Sequence, residues 1–152
     1  MTMEPKVIAF DFYDGATEGF AESLLDGSDC YFALVAWDSD QDDRLYAAVK
    51  IERPLYARVK FLLGKTQAIP SLSVWLPRWE FAEAGDEREV SELTRSCRHR
   101  IGHDGHLLLT RHIGEQPTGM LTIHDELAPK VNGVLERGTP DDLALWREHF
   151  GD

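Results

Sequence analysis

The densest group of reactive side chains in the sequence is Cys97, His99, His103, His106 and His112, spread over sixteen residues. Imidazole and thiolate are good ligands for zinc and other first-row metals, so a metal-dependent enzyme would hold its ion here. The spacing argues against it, because neither Cys-x-x-Cys nor His-Glu-x-x-His occurs. His99 and His103 share a helix face only if the helix persists, and Gly102 between them predicts its end. We therefore expect no metal and no cofactor, with His99, His103, His106 and His112 as the alternative ligand set. Cys97 has Arg95, Arg98 and Arg100 around it, and positive charge lowers a thiol pKa toward nucleophilic use. A tyrosine-phosphatase-like loop, however, needs arginine six positions after its cysteine, where His103 stands. Cys97 also continues the apolar spacing of Val90, Leu93 and Ile101, which makes it a packed core thiol.

Two further stretches suit binding rather than catalysis. Asp38-Ser39-Asp40-Gln41-Asp42-Asp43 alternates carboxylates, but a calcium loop of the EF-hand kind needs glycine where Asp43 stands and glutamate where Val49 stands. It reads as a solvated hairpin tip whose Asp38, Asp40, Asp42 and Asp43 would receive lysine or arginine from a basic protein partner. Residues 53–79 hold five Lys/Arg and no Asp/Glu, together with Tyr56, Trp75 and Trp79. If Tyr56, Arg58 and Lys60 share an exposed strand face, they would suit an anionic ligand or an acidic peptide. The alternative is that these cations neutralise the chain's own carboxylates.

Other signatures fail. Asp11 and Asp14 follow the apolar run Val7 to Phe12 but lie three positions apart, whereas haloacid dehalogenase-like phosphotransferases space their aspartates by two. The extra residue redirects the second carboxylate, so Asp14-Gly15 reads as a turn. No Gly-x-Ser-x-Gly elbow, phosphate-binding Gly-x-x-x-x-Gly-Lys loop or Gly-x-Gly-x-x-Gly fingerprint occurs. Triads assembled from distant positions leave no such trace.

The elements that must position these groups follow from periodicity. Val7 to Phe12 is a strand. Ala16, Phe20 and Leu24 recur at helical spacing and predict a short helix weakened by Gly19. Cys30 to Trp37 is apolar on both alternating faces, as a central strand is, and Arg44 to Ile51 alternates as its wetter hairpin partner. Beyond Pro54, Leu55 to Leu63 alternates with period two and predicts a half-exposed strand. Residues 71–76, between Pro70 and Pro77, form a further strand candidate. The clearest helix spans Asp86 to Ile101, with Asp86 and Glu89 at capping-box spacing and Gly102 as its stop. Leu107 to Arg111 and Met120 to His124 predict a second hairpin. Asp125 to Leu135 is a weaker helix candidate, because it contains Pro129 and Asn132-Gly133. A C-terminal helix is signalled by Thr139 as cap, Pro140 at its first position, Asp141 and Asp142 against its dipole, and the stripe Leu143, Trp146, Phe150. The fold class is α+β: a mainly antiparallel sheet with helices packed on one face, including a C-terminal helix.

Length and composition frame this reading. At 152 residues, with 43% hydrophobic and 28% charged residues, the chain can fold as one globular domain, 1–152, that buries roughly two-thirds of its unfolded surface. No repeat or linker divides it. Two cysteines are a poor disulfide framework, and the N-terminus lacks the zones of a signal peptide, so a cytoplasmic protein with free thiols is expected. The longest apolar run is far short of the ~20 residues that span a bilayer. A net charge of −11 disfavours nucleic acid and anionic membranes and favours basic partners at encounter. The expected function is therefore a non-catalytic acidic binding protein that engages, and inhibits or neutralises, a protein partner. The rivals are a small enzyme using the histidine cluster or Cys97, and a small-molecule binding module with its pocket between sheet and helix. Oligomeric state is left open by the sequence.

Overall fold

The computed structural model describes residues 7–12, 16–25, 27–38, 43–64, 84–111, 118–137 and 141–148. The expected strand over 71–76 lies outside them, as do Asp14, Gly15, Asp40, Asp42, Lys65, Trp75, Arg78, Trp79, His112, Thr139, Pro140 and Phe150.

The chain is α+β. Its sheet runs in chain order through β1 (Val7–Phe12), β2 (Ala16–Leu25), β3 (Ser28–Asp38), β4 (Asp43–Ile51), β5 (His106–Thr110) and β6 (Gly119–Thr122), each antiparallel to its neighbours. A two-residue strand, β7 (Asp141–Asp142), lies parallel to Ala36 and Trp37, where β3 extends beyond its pairing with β2. Helices α1 (Arg53–Gly64) and α2 (Ala84–Asp104) lie between β4 and β5 in sequence, and α3 (Ala128–Arg137) and α4 (Leu143–Arg147) follow β6.

The expected central hairpin is present: β3 and β4 pair Tyr31 with Val49, Ala33 with Ala47 and Leu34 with Tyr46, with a bulge between Leu34 and Ala36. Alternation then divides the side chains. Tyr31, Ala33, Val35, Ala47, Val49 and Leu107 meet Tyr56 and Val59 of α1, Cys97 and Ile101 of α2, Val131 and Val134 of α3, and Leu143 and Trp146 of α4 in one core. Ala21, Cys30, Phe32, Tyr46, Ala48 and Leu108 form a second cluster on the opposite face. The described helices thus contribute to one face of the sheet.

Two expectations are corrected. Ala16 to Leu25 is a strand rather than a helix, and it places Phe20 edge-on to Tyr31 with ring centroids 5.6 Å apart. Gly19 penalises a helix by about 1 kcal/mol, and the neighbouring apolar strand instead pairs with Glu18 to Ala21 and again with Leu25. Leu55 to Leu63 belongs to a helix rather than a strand, with Tyr56, Val59 and Leu62 buried at a spacing of three. Pro54 does not interrupt; it occupies the first turn, where its missing N–H costs nothing, and the Tyr56 amide donates to the Glu52 carbonyl at 3.1 Å. Pro129 plays the same part in α3, so that helix forms too.

Helix ends also differ in detail. α2 continues through Gly102 to Asp104, and the Gly105 amide closes its last turn on the Ile101 carbonyl at 3.0 Å. α4 begins at Leu143 and is capped by Asp142, whose carboxylate accepts the Ala144 amide at 3.0 Å.

Candidate functional site

The acidic tip was the main sequence candidate, and its base is built from three elements. Asp38 ends β3 and Asp43 begins β4 directly opposite it. The Asp142 cap turns the chain into α4, and Arg147 at the end of that helix reaches both carboxylates, with Nη1 2.9 Å from Asp38 Oδ2 and Nη2 3.2 Å from Asp43 Oδ2. These two aspartates therefore do not wait free for a partner, since the protein's own guanidinium already holds them in place. What surrounds them is more open. Trp37, beside Asp38 on β3 and in register with Asp142, is 40% exposed, and Leu145 on α4 is 53% exposed. Asp142 and Glu148 are exposed as well. Sequence reasoning missed Trp37, Asp142 and Arg147 as parts of this end. The Asp142 cap before an apolar stripe was a usable signal for the helix start, but nothing local told where α4 docks.

The basic candidate does not survive as an exposed strand face. Tyr56, Arg58 and Lys60 lie on α1, where two-residue steps turn the side chains about 200° apart. Tyr56 is buried in the core, Arg58 is exposed, and Lys60 is exposed. Arg58 grips Glu89 of α2 through two bonds, Nε to Oε2 at 2.6 Å and Nη2 to Oε1 at 2.8 Å, and that pairing raises its pKa. Arg53 likewise lies 3.2 Å from the buried Asp29 and 3.8 Å from Glu22. Both arginines neutralise carboxylates of the same chain.

Two polar ties fasten helices to the sheet. Tyr31 donates its hydroxyl hydrogen to Glu18, while Arg98 of α2 donates to the Tyr31 oxygen at 2.8 Å and to Glu18 Oε2 at 3.0 Å. Burial and the Glu18 charge push the Tyr31 phenol well above its ordinary range. Burial works against the Arg98 charge, but the Tyr31 and Glu18 oxygens more than offset it and leave its pKa raised. At the other tie, Asp29 accepts the Ser23 amide at 3.0 Å, supporting the left-handed turn of Ser23 at φ 57°, and also holds Arg53. Tyr56 is buried beside this pair; burial, then the charges of Glu22 and Asp29, raise its phenol pKa.

The reactive cluster is divided by the sheet. His99 and His103 are exposed on α2, on the helical side. His106 opens β5, opposite Ala48 and two residues before Leu108, both of which belong to the opposite face. Among the described residues, no three His, Cys, Asp or Glu side chains converge as a metal-ligand set. Cys97 is buried in the helical-side core, where burial pushes its thiol up to about 11 despite the nearby Arg100. Cys30 is buried in the opposite cluster and pushed up to about 12. Both thiols are free. No helix among the described residues is long and apolar enough to cross a membrane.

Compared with known protein families, curated proteins and solved structures, the chain matches none.

Proposed function

We propose that the chain is a non-catalytic binding protein that engages a basic protein partner, and inhibits or neutralises it, through the acidic end of its sheet. The observation that carries this reading is the exposed Trp37, next to Asp38 on β3 and in register with the exposed Asp142 of β7, at the end of the sheet where Asp38 lies opposite Asp43. Large side chains of this kind anchor interfaces when they enter a pocket on a partner, while surrounding charges steer the encounter. Arg147 takes part of the local charge, but it also holds Asp38 and Asp43 in fixed positions, so less freedom is lost on binding. Asp40 and Asp42 add two carboxylates to the same six-residue stretch. The net charge of −11 favours such a partner over nucleic acid or an anionic membrane.

The enzyme readings have less support. A buried thiol with a raised pKa is a poor nucleophile, and histidines on opposite sides of a sheet do not share one ion. The small-molecule reading draws on no specific feature, since the described sheet-to-helix interface is lined by core side chains such as Val59, Ile101, Val134 and Trp146.

The test begins with affinity capture from source lysate and continues with kinetics against the recovered protein. The variant Asp40→Asn with Asp42→Asn removes charge without touching the Arg147 pairs. We expect slower association in this variant and in raised salt, and faster dissociation in Trp37→Ser. Association that ignores both salt and the charge variant sinks the proposal, as does turnover of a metabolite by a protein that captures no basic partner.

A further inference from the structure

We infer that His99 and His103 form a two-imidazole chelating site for divalent transition-metal ions on the last turns of α2. The inference is independent of the function proposed above and uses none of its residues. It starts from the helix boundary: α2 runs unbroken through Gly102 to Asp104, so His99 and His103 stand one turn apart on one face, an arrangement that a stop at Gly102 would have destroyed. Their rings lie with centroids 5.2 Å apart and planes inclined at 58°.

That separation matches chelation. With a metal–nitrogen distance of about 2.0–2.1 Å, an imidazole centroid lies about 3.2 Å from a bound ion, so two rings on one ion are separated by about 4.5 Å at a right angle and about 5.2 Å at a tetrahedral angle. The two helix positions therefore already hold the rings at the required spacing, and both side chains are exposed and free to turn a nitrogen toward the ion. The electrostatics are permissive. A helix C-terminus carries partial negative charge, which favours a cation on its last turn. The flanking guanidiniums are engaged elsewhere, Arg98 with Glu18 and Tyr31, and Arg100 with the Lys50 carbonyl and with Asp104. Arg95, one turn before His99, is exposed to screening solvent.

Two protein ligands leave the rest of the coordination shell to water, so binding is reversible and ranks by intrinsic affinity, copper(II) above nickel(II) above cobalt(II), with magnesium and calcium excluded by the nitrogen donors. His106 does not join, because its strand turns it to the opposite sheet face.

The experiment titrates copper(II), nickel(II), cobalt(II) and magnesium into full-length protein without an affinity tag, by calorimetry, and compares His99→Asn, His103→Asn and the control His124→Asn. We expect one site in the stated metal order, loss of about tenfold or more in affinity in either single variant because chelation needs both rings, and no change in the control. Nickel should also raise the unfolding midpoint of wild type but not of either single variant, since only a folded helix presents both ligands. All three substitutions lie at exposed positions, and circular dichroism is used to check that each variant folds. Copper binding as tight in His99→Asn and His103→Asn as in wild type, or binding abolished by His124→Asn, overturns the inference.

Discussion

Arg147, the last residue of α4, lies 2.9 Å from Asp38, at the end of β3 and more than a hundred residues away in sequence. The same guanidinium reaches Asp43, so one side chain fastens the terminal helix to both strands of the central hairpin. Replacing it should loosen that corner. Arg147→Ala leaves two carboxylates facing each other, and because the group is partly exposed the expected loss is about 1 kcal/mol, read by urea denaturation. Adding Asp43→Asn to that variant should recover part of the loss. A double-mutant cycle with no coupling would show that the contact is decorative.

The buried thiols predict alkaline sensitivity. Their folded pKa values, about 11 for Cys97 and about 12 for Cys30, exceed the ordinary thiol value of 9.0. Above pH 9 the unfolded chain releases these protons while the folded one retains them, so stability falls as pH rises from about 9 to 12. Tyr31 and Tyr56, also raised, extend the fall above pH 10. Melting temperatures measured between pH 7.5 and 10.5 should drop, and Cys30→Ala with Cys97→Ala should flatten the lower part of the slope, even if it lowers the starting value.

Tyr31→Phe keeps the ring against Phe20 but removes the hydroxyl shared by Glu18 and Arg98. The Glu18–Arg98 ion pair remains at 2.8 Å, so the expected cost is that of one buried hydrogen-bonded group, about 1–2 kcal/mol. Urea unfolding of wild type and variant decides it; an unchanged midpoint would mean that the tie contributes nothing.

Two neighbouring glycines should respond oppositely to alanine. At Gly102 an added Cβ meets the end of the exposed Asn132 side chain, 2.7 Å away, which can swing aside. Gly102→Ala should then be neutral or stabilising by up to about 1 kcal/mol through helix propensity. At Gly105 the same Cβ would run into the Ile101 backbone, including its Cα at 2.9 Å, with nothing flexible to yield. Gly105→Ala should lower stability by about 2 kcal/mol or more. Thermal unfolding of the two variants side by side reads the contrast.

Trp146 is fully buried and joins α4 to the core, with Lys130 Nζ 4.6 Å from its ring centroid. Trp146→Ala should lower stability by about 3–5 kcal/mol. A calorimetric transition unmoved by this change would place α4 outside the cooperative unit.

Sequence alone determined the elements whose pattern had one solution. Cys30 to Trp37 is apolar on both faces and Arg44 to Ile51 alternates, so each could satisfy its backbone only by pairing, and β3 with β4 follows. The stripe of Val90, Cys97 and Ile101 likewise specified α2 and the burial of Cys97. Only the tertiary structure decided the ambiguous stretches. Leu55 to Leu63 fits both a period of two and a spacing of three, and it becomes a helix because Tyr56, Val59 and Leu62 then bury together, two of them in the core over the sheet. Ala16 to Leu25 becomes a strand because the edge of β3 offers it a ladder. Charge was ambiguous in the same way. The sequence supplied fixed charges at Asp38, Asp43, Arg58 and Glu89, but an ion pair depends on distance in space, and the packing of α1, α2 and α4 chose the pairs. Periodicity is a local property that the chain carries with it, whereas a partner across the fold exists only once the core has formed.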